Sequence, residues 1–240
     1  MEQIQQLQQW VDESGYIVFF GGAGVSTESG IPDFRSTDGL YHMKYHYPPE
    51  TIISHSFFEK APEEFYRFYR DKMLWPDAQP NDAHYKLAEL EQAGKLKAVV
   101  TQNIDGLHQL AGSREVIELH GTVHRNICQK CGRVYGMIDI LNSQGVPRCF
   151  SCGGVIKPDV VLYEEALDTG KLQQAVEHIS QADLLIVAGT SLVVYPAAGL
   201  LDYFQGRHLV LINKTETAKD SRADLVIRDS IGKVMRQLRA

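Results

Sequence analysis

Tyr16-Ile17-Val18-Phe19-Phe20-Gly21-Gly22-Ala23-Gly24-Val25-Ser26-Thr27-Glu28-Ser29-Gly30-Ile31-Pro32-Asp33-Phe34-Arg35 decides how the rest of the chain is read. Its first five residues are apolar at both sets of alternate positions, as in a strand buried on both faces. Glycines at 21, 22 and 24 then let the backbone turn tightly and approach a ligand. A helix beginning near Ser26 would aim free N–H groups at an anion, so a phosphate or pyrophosphate is the natural candidate. The competing reading is a plain structural turn. Phe34 and Arg35 weigh against it, because the guanidinium puts a permanent cation within reach of the loop. The pattern departs from the ordinary dinucleotide fingerprint. G-x-G-x-x-G would require glycine where Thr27 stands, and a second strand ending in an acidic residue about 20 positions on. Pro32 predicts that any helix here is short.

Working outward, the 240 residues suit one large domain, or one domain with a small insert. An apolar content of 44% and a charged fraction of 22% are those of a globular chain with a sizeable core. The net charge of -6 argues against a broad nucleic-acid footprint. The N-terminal residues have neither a basic nor an apolar region of signal-peptide type, and no apolar run is long enough to span a bilayer. All four cysteines fall between 128 and 152, a usage that fits a reducing compartment and a metal better than disulfides. The expectation is a cytoplasmic protein that binds neither membrane nor nucleic acid.

Apolar residues alternate with helical patterns along most of the chain. Residues 2–14 read as a helix with Ile4, Leu7, Trp10 and Val11 on one face and Gly15 as its C-cap. Helices are predicted over Pro62–Met73, Asn81–Gly94, Lys171–Gln181 and the C-terminal segment. Strands are predicted at 96–101, 116–119, 183–188, 208–212 and 224–227. This is an α/β chain: a Rossmann-like, mostly parallel sheet with helices on both faces. The expected division is residues 1–35, 81–121 and 158–240 for that sheet domain. A helical lid at 36–80 and an insert at 122–157 together make a small domain. Small and polar residues gather where the strands end: Gly22-Ala23-Gly24, Gln102-Asn103-Asp105, His120, Gly189-Thr190-Ser191, Asn213 and Asp229. Ligands of such sheets sit outside the carboxyl ends of the strands, where strand order reverses.

Cys128-Gln129-Lys130-Cys131 and Cys149-Phe150-Ser151-Cys152 have the paired spacing of a zinc ribbon. Four thiolates leave no open coordination position, so the predicted zinc is structural. Gly132 and Gly153 follow each pair, where a knuckle turn favours positive φ.

These pieces together resemble one family, the sirtuins, which are NAD-dependent protein-lysine deacylases, and in particular its bacterial branch. The resemblance rests on Gly22-Ala23-Gly24-Val25-Ser26, Gly30 to Arg35, Thr101-Gln102-Asn103-Ile104-Asp105-Gly106-Leu107-His108, His120-Gly121, the four cysteines and Gly189-Thr190-Ser191. It implies that Gly22, Ala23, Gly24, Thr27 and Arg35 line the phosphates of NAD, with Phe34 shielding the nicotinamide. Gln102, Asn103, Ile104 and Asp105 would form the nicotinamide pocket. Gly189, Thr190, Ser191, Asn213, Asp229 and Ile231 would hold the adenosine half. Asn103 would share in catalysis, and His120 would be the general base, a role its near-neutral titration suits. The implied reaction starts with attack of the acyl-lysine oxygen on the nicotinamide ribose and yields nicotinamide, free lysine and O-acetyl-ADP-ribose. Acetylated lysine side chains of proteins would be the partners, and Val160, Val161 and Leu162 would pair with the peptide by strand addition. His108 and His124 are expected in structural or surface roles.

Two positions depart from the family. Gly21 stands where threonine is usual, which would loosen the strand-to-loop turn. Tyr163-Glu164-Glu165 replaces Phe-Gly-Glu, which puts the role of that glycine in doubt. Family members that prefer acidic acyl groups carry Tyr-x-x-Arg on the helix beside the acyl tunnel. Here Tyr66 is followed by Tyr69, with Arg70 one position later, so Tyr66 and Tyr69 would line a tunnel for neutral acyl groups. A mono-ADP-ribosyltransferase, a dehydrogenase and a zinc-ribbon nucleic-acid module are the alternatives, and each would leave different products from NAD and an acetylated peptide.

Overall fold

The computed structural model describes residues 2–33 and 47–240. The first half contains α1 (Glu2–Glu13), β1 (Ile17–Gly21), α2 (Pro49–Ile52), α3 (His55–Lys60), α4 (Pro62–Lys72), α5 (Asp82–Gln92), β2 (Leu96–Thr101), α6 (Leu107–Leu110) and β3 (Val116–Glu118). There follow β4 (Gly121–Cys128), β5 (Val134–Tyr135), α7 (Met137–Asn142), β6 (Ile156–Val160), α8 (Thr169–Gln181), β7 (Leu184–Ala188), β8 (His208–Ile212), β9 (Leu225–Ile227) and α9 (Ile231–Met235).

The apolar run at the start of the glycine stretch becomes β1, buried at every position. It lies at the middle of a six-stranded parallel sheet of order β3-β2-β1-β7-β8-β9. The strand sends Ile17 and Phe19 to one face and Val18 and Phe20 to the other, as a two-residue period requires. On the first face they meet Leu7 and Val11 of α1, Leu87 and Leu90 of α5 and Val234 and Met235 of α9. On the second they meet Ala175 and Ile179 of α8 and a 3-10 segment, Ala197–Tyr203. Burying both faces is what turns these strands into near-continuous apolar runs. The chain moves outward from β1 to β2 and β3, then returns to β7 on the other side. Strand order therefore reverses between β1 and β7.

Local details differ from the sequence reading. Gly15 does not cap α1 in the left-handed conformation. Its N–H donates to Asp183 Oδ2 at 3.0 Å, so a tertiary bond ends the connection into β1. Gly21 is the last residue of β1, not part of a loosened turn. A Cβ there would lie 2.7 Å from the Phe19 ring, which already fills that space. Instead of the helix expected to begin near Ser26, there are two short 3-10 turns, Ala23–Val25 and Thr27–Ser29, closed by Gly30 at φ +84°.

A second core unites α2, α3 and α4 with a three-stranded antiparallel sheet, β5-β4-β6. Phe58, Phe65 and Tyr66 meet edge to face, and Phe65 stacks on Tyr69. Beside this core the four cysteine sulfurs lie within 4.8 Å of one another, with Cys128–Cys152 at 3.5 Å and Cys131–Cys149 at 3.6 Å. A tetrahedral site with Zn–S bonds of about 2.3 Å needs sulfurs about 3.8 Å apart, so the set fits zinc. The Tyr135 hydroxyl donates to Cys149 Sγ at 3.0 Å and brings that thiol down to about 6, toward the thiolate a metal requires. Gly132 and Gly153 adopt φ +71° and +70°. Among the described residues, no helix is long and apolar enough to cross a membrane.

Under the sheet's first face, the His84 and His108 rings meet at a tilt of 60° with centroids 4.7 Å apart, and His108 also meets the Phe19 ring at a tilt. Both rings are fully buried. Burial lowers His84 to about 4 and His108 well below its ordinary value.

Two outcomes follow. The unfolded chain takes protons near pH 6.5 that the folded histidines refuse. Stability is therefore full above that pH and falls as pH drops toward about 4, by roughly 1 kcal/mol per pH unit for each histidine. His108→Leu, which removes an imidazole whose two nitrogens find no partner among the described residues, should flatten the slope of denaturant-measured stability between pH 6.5 and 5. An unchanged slope would exclude His108 as one of its sources. For the metal, a structural zinc contributes about 10–16 kcal/mol of binding energy, comparable to a domain's whole stability. Cys128→Ser should thus lose zinc and unfold the β4–β6 region, as read by metal analysis and near-UV dichroism. Fully active protein devoid of zinc would refute this assignment.

Candidate active site

The polar strand ends converge where β1 and β7 part. Gly22 N–H donates to Ala188 O at 3.1 Å and Gly24 N–H to Gly189 O at 2.8 Å, tying the loop after β1 to the loop after β7. These contacts admit no side chain. A Cβ on Gly24 would lie 2.7 Å from Gly189 Cα, and one on Gly22 2.8 Å from Gly189 O. Gly189 itself has φ +61°, and its Cβ would lie 2.5 Å from Val25 N. The glycines thus let two loops of the protein close on each other, rather than only baring backbone to a ligand. The Thr27 hydroxyl donates to Gly24 O at 3.0 Å and stiffens the same loop. Phe34 and Arg35 lie outside the described residues.

Ser26 links this loop to the segment after β2. Its buried hydroxyl accepts from Asn103 Nδ2 at 3.0 Å and donates to Asp105 Oδ2 at 2.6 Å. Asp105 Oδ1 accepts from Leu107 N–H at 2.9 Å, and the Asp105 carbonyl accepts from His124 Nε2 at 2.9 Å. Each carboxylate oxygen keeps a lone pair for a further donor. Ile104 packs against the second core, and its carbonyl accepts from Val123 N–H at 3.0 Å. Gln102 reaches across β1: its side-chain amide donates to Thr190 Oγ1 at 3.0 Å. The role of Ser26 is absent from the sequence reading, which placed it in the motif without a task. A hydroxyl between an amide and a carboxylate is visible only in three dimensions.

His120 follows β3, half-buried. Its Nδ1 lies 2.9 Å from Gln102 O. A carbonyl can only accept, so in the neutral ring Nδ1 carries the hydrogen and Nε2 keeps its lone pair. Burial lowers the titration of His120 below its ordinary value, and the bond to Gln102 opposes that shift. The ring is therefore a base at neutral pH. Gly121 at φ +77° turns the chain away at once; a Cβ there would strike Asp159 O.

At the end of β8, beside the loop after β7, Asn213 Nδ2 donates to Thr190 O at 3.3 Å. Asp229 accepts from Ser230 N–H and pairs with Lys233, which holds its carboxyl below the usual range. Ile231 is buried in the first core and contributes packing. Ser191 follows Thr190, half-buried.

The expected peptide strand is partly engaged already. Val160 pairs with Gly121, and Val161 N–H donates to His120 O at 2.9 Å. Leu162 N–H donates to Glu165 Oε2 at 2.9 Å, so a peptide seeking that N–H competes with a carboxylate. Glu164 sits at φ +77°, the conformation for which glycine is usual, at about 1–2 kcal/mol for a residue with a Cβ. Its carboxylate accepts from Ser56 N–H at 2.9 Å and Ser56 Oγ at 3.0 Å, which offsets that strain by capping the first turn of α3.

Tyr66 and Tyr69 are the residues expected to line an acyl tunnel. Both are buried in the second core, at 0% and 1% exposure, and the Tyr66 hydroxyl donates to Ile156 O. Aromatic packing against Phe58 and Phe65 draws them inward. The Arg70 guanidinium is spent on Ile140 O, Ser143 Oγ and Gly145 O.

This arrangement has close counterparts. The Sir2 family model matches residues 22–196. An NAD-dependent protein deacetylase of Clostridium acetobutylicum is 60% identical, over 98% of this chain and 97% of that protein. One from Staphylococcus aureus strain Mu50 is 44% identical over 98% and 97%. Among solved structures, a Sir2 variant with deacetylated p53 peptide and 3′-O-acetyl ADP-ribose superposes with a TM-score of 0.90 at 41% identity, covering 98% of this chain and 96% of the other. A Sir2 complex with p53 peptide and NAD+ gives 0.87 at 41%, with the same coverage. With a glycine interlock, a neutral histidine at a strand end and four clustered cysteines in one parallel-sheet frame, and with these likenesses along nearly its whole length, the chain belongs to the Sir2 family.

Proposed function

We propose that this chain is an NAD-dependent protein-lysine deacetylase with a structural zinc. The observation that carries the reading is His120, whose Nδ1 is held on Gln102 O and whose Nε2 lone pair is left for proton transfer. Relatives bearing that activity at 60% identity support it.

The donor set suits NAD. Asp105 offers acceptor capacity for a carboxamide N–H, and Ser26 holds that carboxylate in one orientation beside Asn103. Gly22, Ala23, Gly24 and Thr27 would hold the phosphates, with Arg35 supplying charge and Phe34 covering the nicotinamide. Gln102, Asn103, Ile104 and Asp105 would form the nicotinamide pocket. Gly189, Thr190, Ser191, Asn213, Asp229 and Ile231 would hold the adenosine end. NAD, when bound, supplies an activated ribose carbon and accepts the acetyl group. His120 takes up a proton at Nε2 as general base. Ile104, backed by the second core, excludes water. Val160, Val161 and Leu162 would align the acetylated peptide by backbone pairing. We assign residues 1–35, 81–121 and 158–240 to the NAD-binding domain and the intervening segments to a small domain. Substrates are acetylated lysines of proteins in the cytoplasm, with no role for nucleic acid or membrane.

His120→Ala should lower deacetylation by about 10²–10⁴ while NAD still binds. The measurement is product mass from NAD and an acetylated peptide: deacetylated peptide and O-acetyl-ADP-ribose are expected from the wild type. ADP-ribosylated protein instead, or near-normal turnover in a folded His120→Ala protein, overturns the reading. The wild-type rate should also rise with pH through the depressed titration of His120 and level off by neutrality. Because Arg70 is committed elsewhere, kcat/KM for acetyl-lysine should exceed that for succinyl-lysine on one peptide. The reverse order would mean that another cation serves the acyl pocket.

A further inference from the structure

The loop after β1 is made of two separate 3-10 turns, Ala23–Val25 and Thr27–Ser29, and Ser26 is the joint between them. Nothing in short 3-10 turns fixes the angle at such a joint, since each is only one turn long. Yet the joint carries the hydroxyl that organises Asn103 and Asp105. The first turn is anchored toward β7, through Gly24 and Gly189. The second is anchored toward α9, where Glu28 Oε2 accepts from Gly232 N–H at 2.7 Å. Within the loop, the Thr27 hydroxyl links the second turn to Gly24 O of the first; from outside the loop, the Asn81 side chain bonds to both turns.

Asn81 is the N-cap of α5. Its Oδ1 accepts from Ala83 N–H at 2.9 Å, and its own N–H donates to His84 Nδ1 at 3.2 Å. The other end of the same amide is turned outward. Nδ2 donates to Val25 O at 2.8 Å, in the first turn, and to Ser29 Oγ at 2.9 Å, in the second. Val25 O can only accept, which fixes the orientation of the amide. Capping needs only an acceptor, and serine or aspartate would serve as well. Asparagine adds two donors, and both go to the loop.

We propose that Asn81 is a positioning residue for the cofactor. It ties both turns of the loop to the rigid end of α5 and thereby fixes Ser26 and Thr27 for NAD. This rests on the reading that the 22–30 loop holds the cofactor phosphates. The cap function and the tether function are separable by substitution. Asn81→Ser and Asn81→Asp keep an acceptor for α5, but neither has an amide donor, and aspartate also sets a carboxylate against Val25 O.

The experiment measures Tm and steady-state kinetics of the full-length zinc-loaded protein, with Ala23→Asp as a control that puts negative charge in the loop itself. Both Asn81 variants are expected to melt close to the wild type. KM for NAD should rise about tenfold, equivalent to about 1.4 kcal/mol, while KM for the acetylated peptide and kcat at saturating NAD stay near wild-type values. A wild-type KM for NAD in both Asn81 variants, with a raised one in Ala23→Asp, overturns the tether and leaves the cofactor site standing. A fall in Tm with parallel loss toward both substrates reduces Asn81 to a helix cap and overturns it too. If Ala23→Asp leaves KM for NAD unchanged, the loop does not hold the phosphates, and the cofactor reading fails together with the proposal.

Discussion

The contact between the loop after β1 and the loop after β7 is the constraint on which the rest of the site depends. Gly24 and Gly189 approach so closely that neither leaves room for a Cβ. The backbones are joined by the Gly24 N–H bond to Gly189 O. This closure occurs where strand order reverses, between β1 and β7. In sheets of this kind, ligands bind at that reversal, outside the carboxyl ends of the strands. Any larger residue at either position would push the two loops apart and, with them, the two halves of the site they border.

From that contact the polar groups are held in sequence. Ser26, at the joint of the loop, is bonded to both Asn103 and Asp105. Gln102 joins Thr190 across β1 with its side chain and holds His120 with its carbonyl. One residue thereby couples the loop after β7 to His120. Desolvation and the Gln102 bond act oppositely on His120, and desolvation prevails. The ring is kept neutral, the state the proposed general base requires. Little of this rigidity comes from helices, since α6 has only four residues and the glycine loop only 3-10 turns. It comes from side chains that each serve two partners.

The small unit shows the same economy. Glu164 takes a left-handed conformation where glycine is usual, and its carboxylate binds Ser56 at the start of α3. Its neighbour Glu165 gathers Leu162 N–H, His55 and Lys157. Two adjacent acids thus fasten the segment after β6 to α3 and back onto β6 itself. Tyr66 and Tyr69 hold the same unit together from within its core.

The sequence by itself determined the sheet class, the six parallel strands, the cysteine set and the glycine loop. These are properties of period and spacing: alternate burial writes itself into apolar runs, and paired cysteines need only local turns. The positions of Gln102, Asn103, Asp105 and His120 at strand ends were legible for the same reason. Tertiary structure alone decided what the side chains do there. It decided that Gly21 yields its space to the Phe19 ring and that Gly24 and Gly189 serve each other. It also decided that Tyr66 and Tyr69 face inward, and that Ser26 and Asn81 each bridge elements far apart in the chain. Partners 52 to 79 positions apart leave no period in a sequence. A hydrogen bond between them depends on how the strands and helices pack, and that packing is a property of the whole fold.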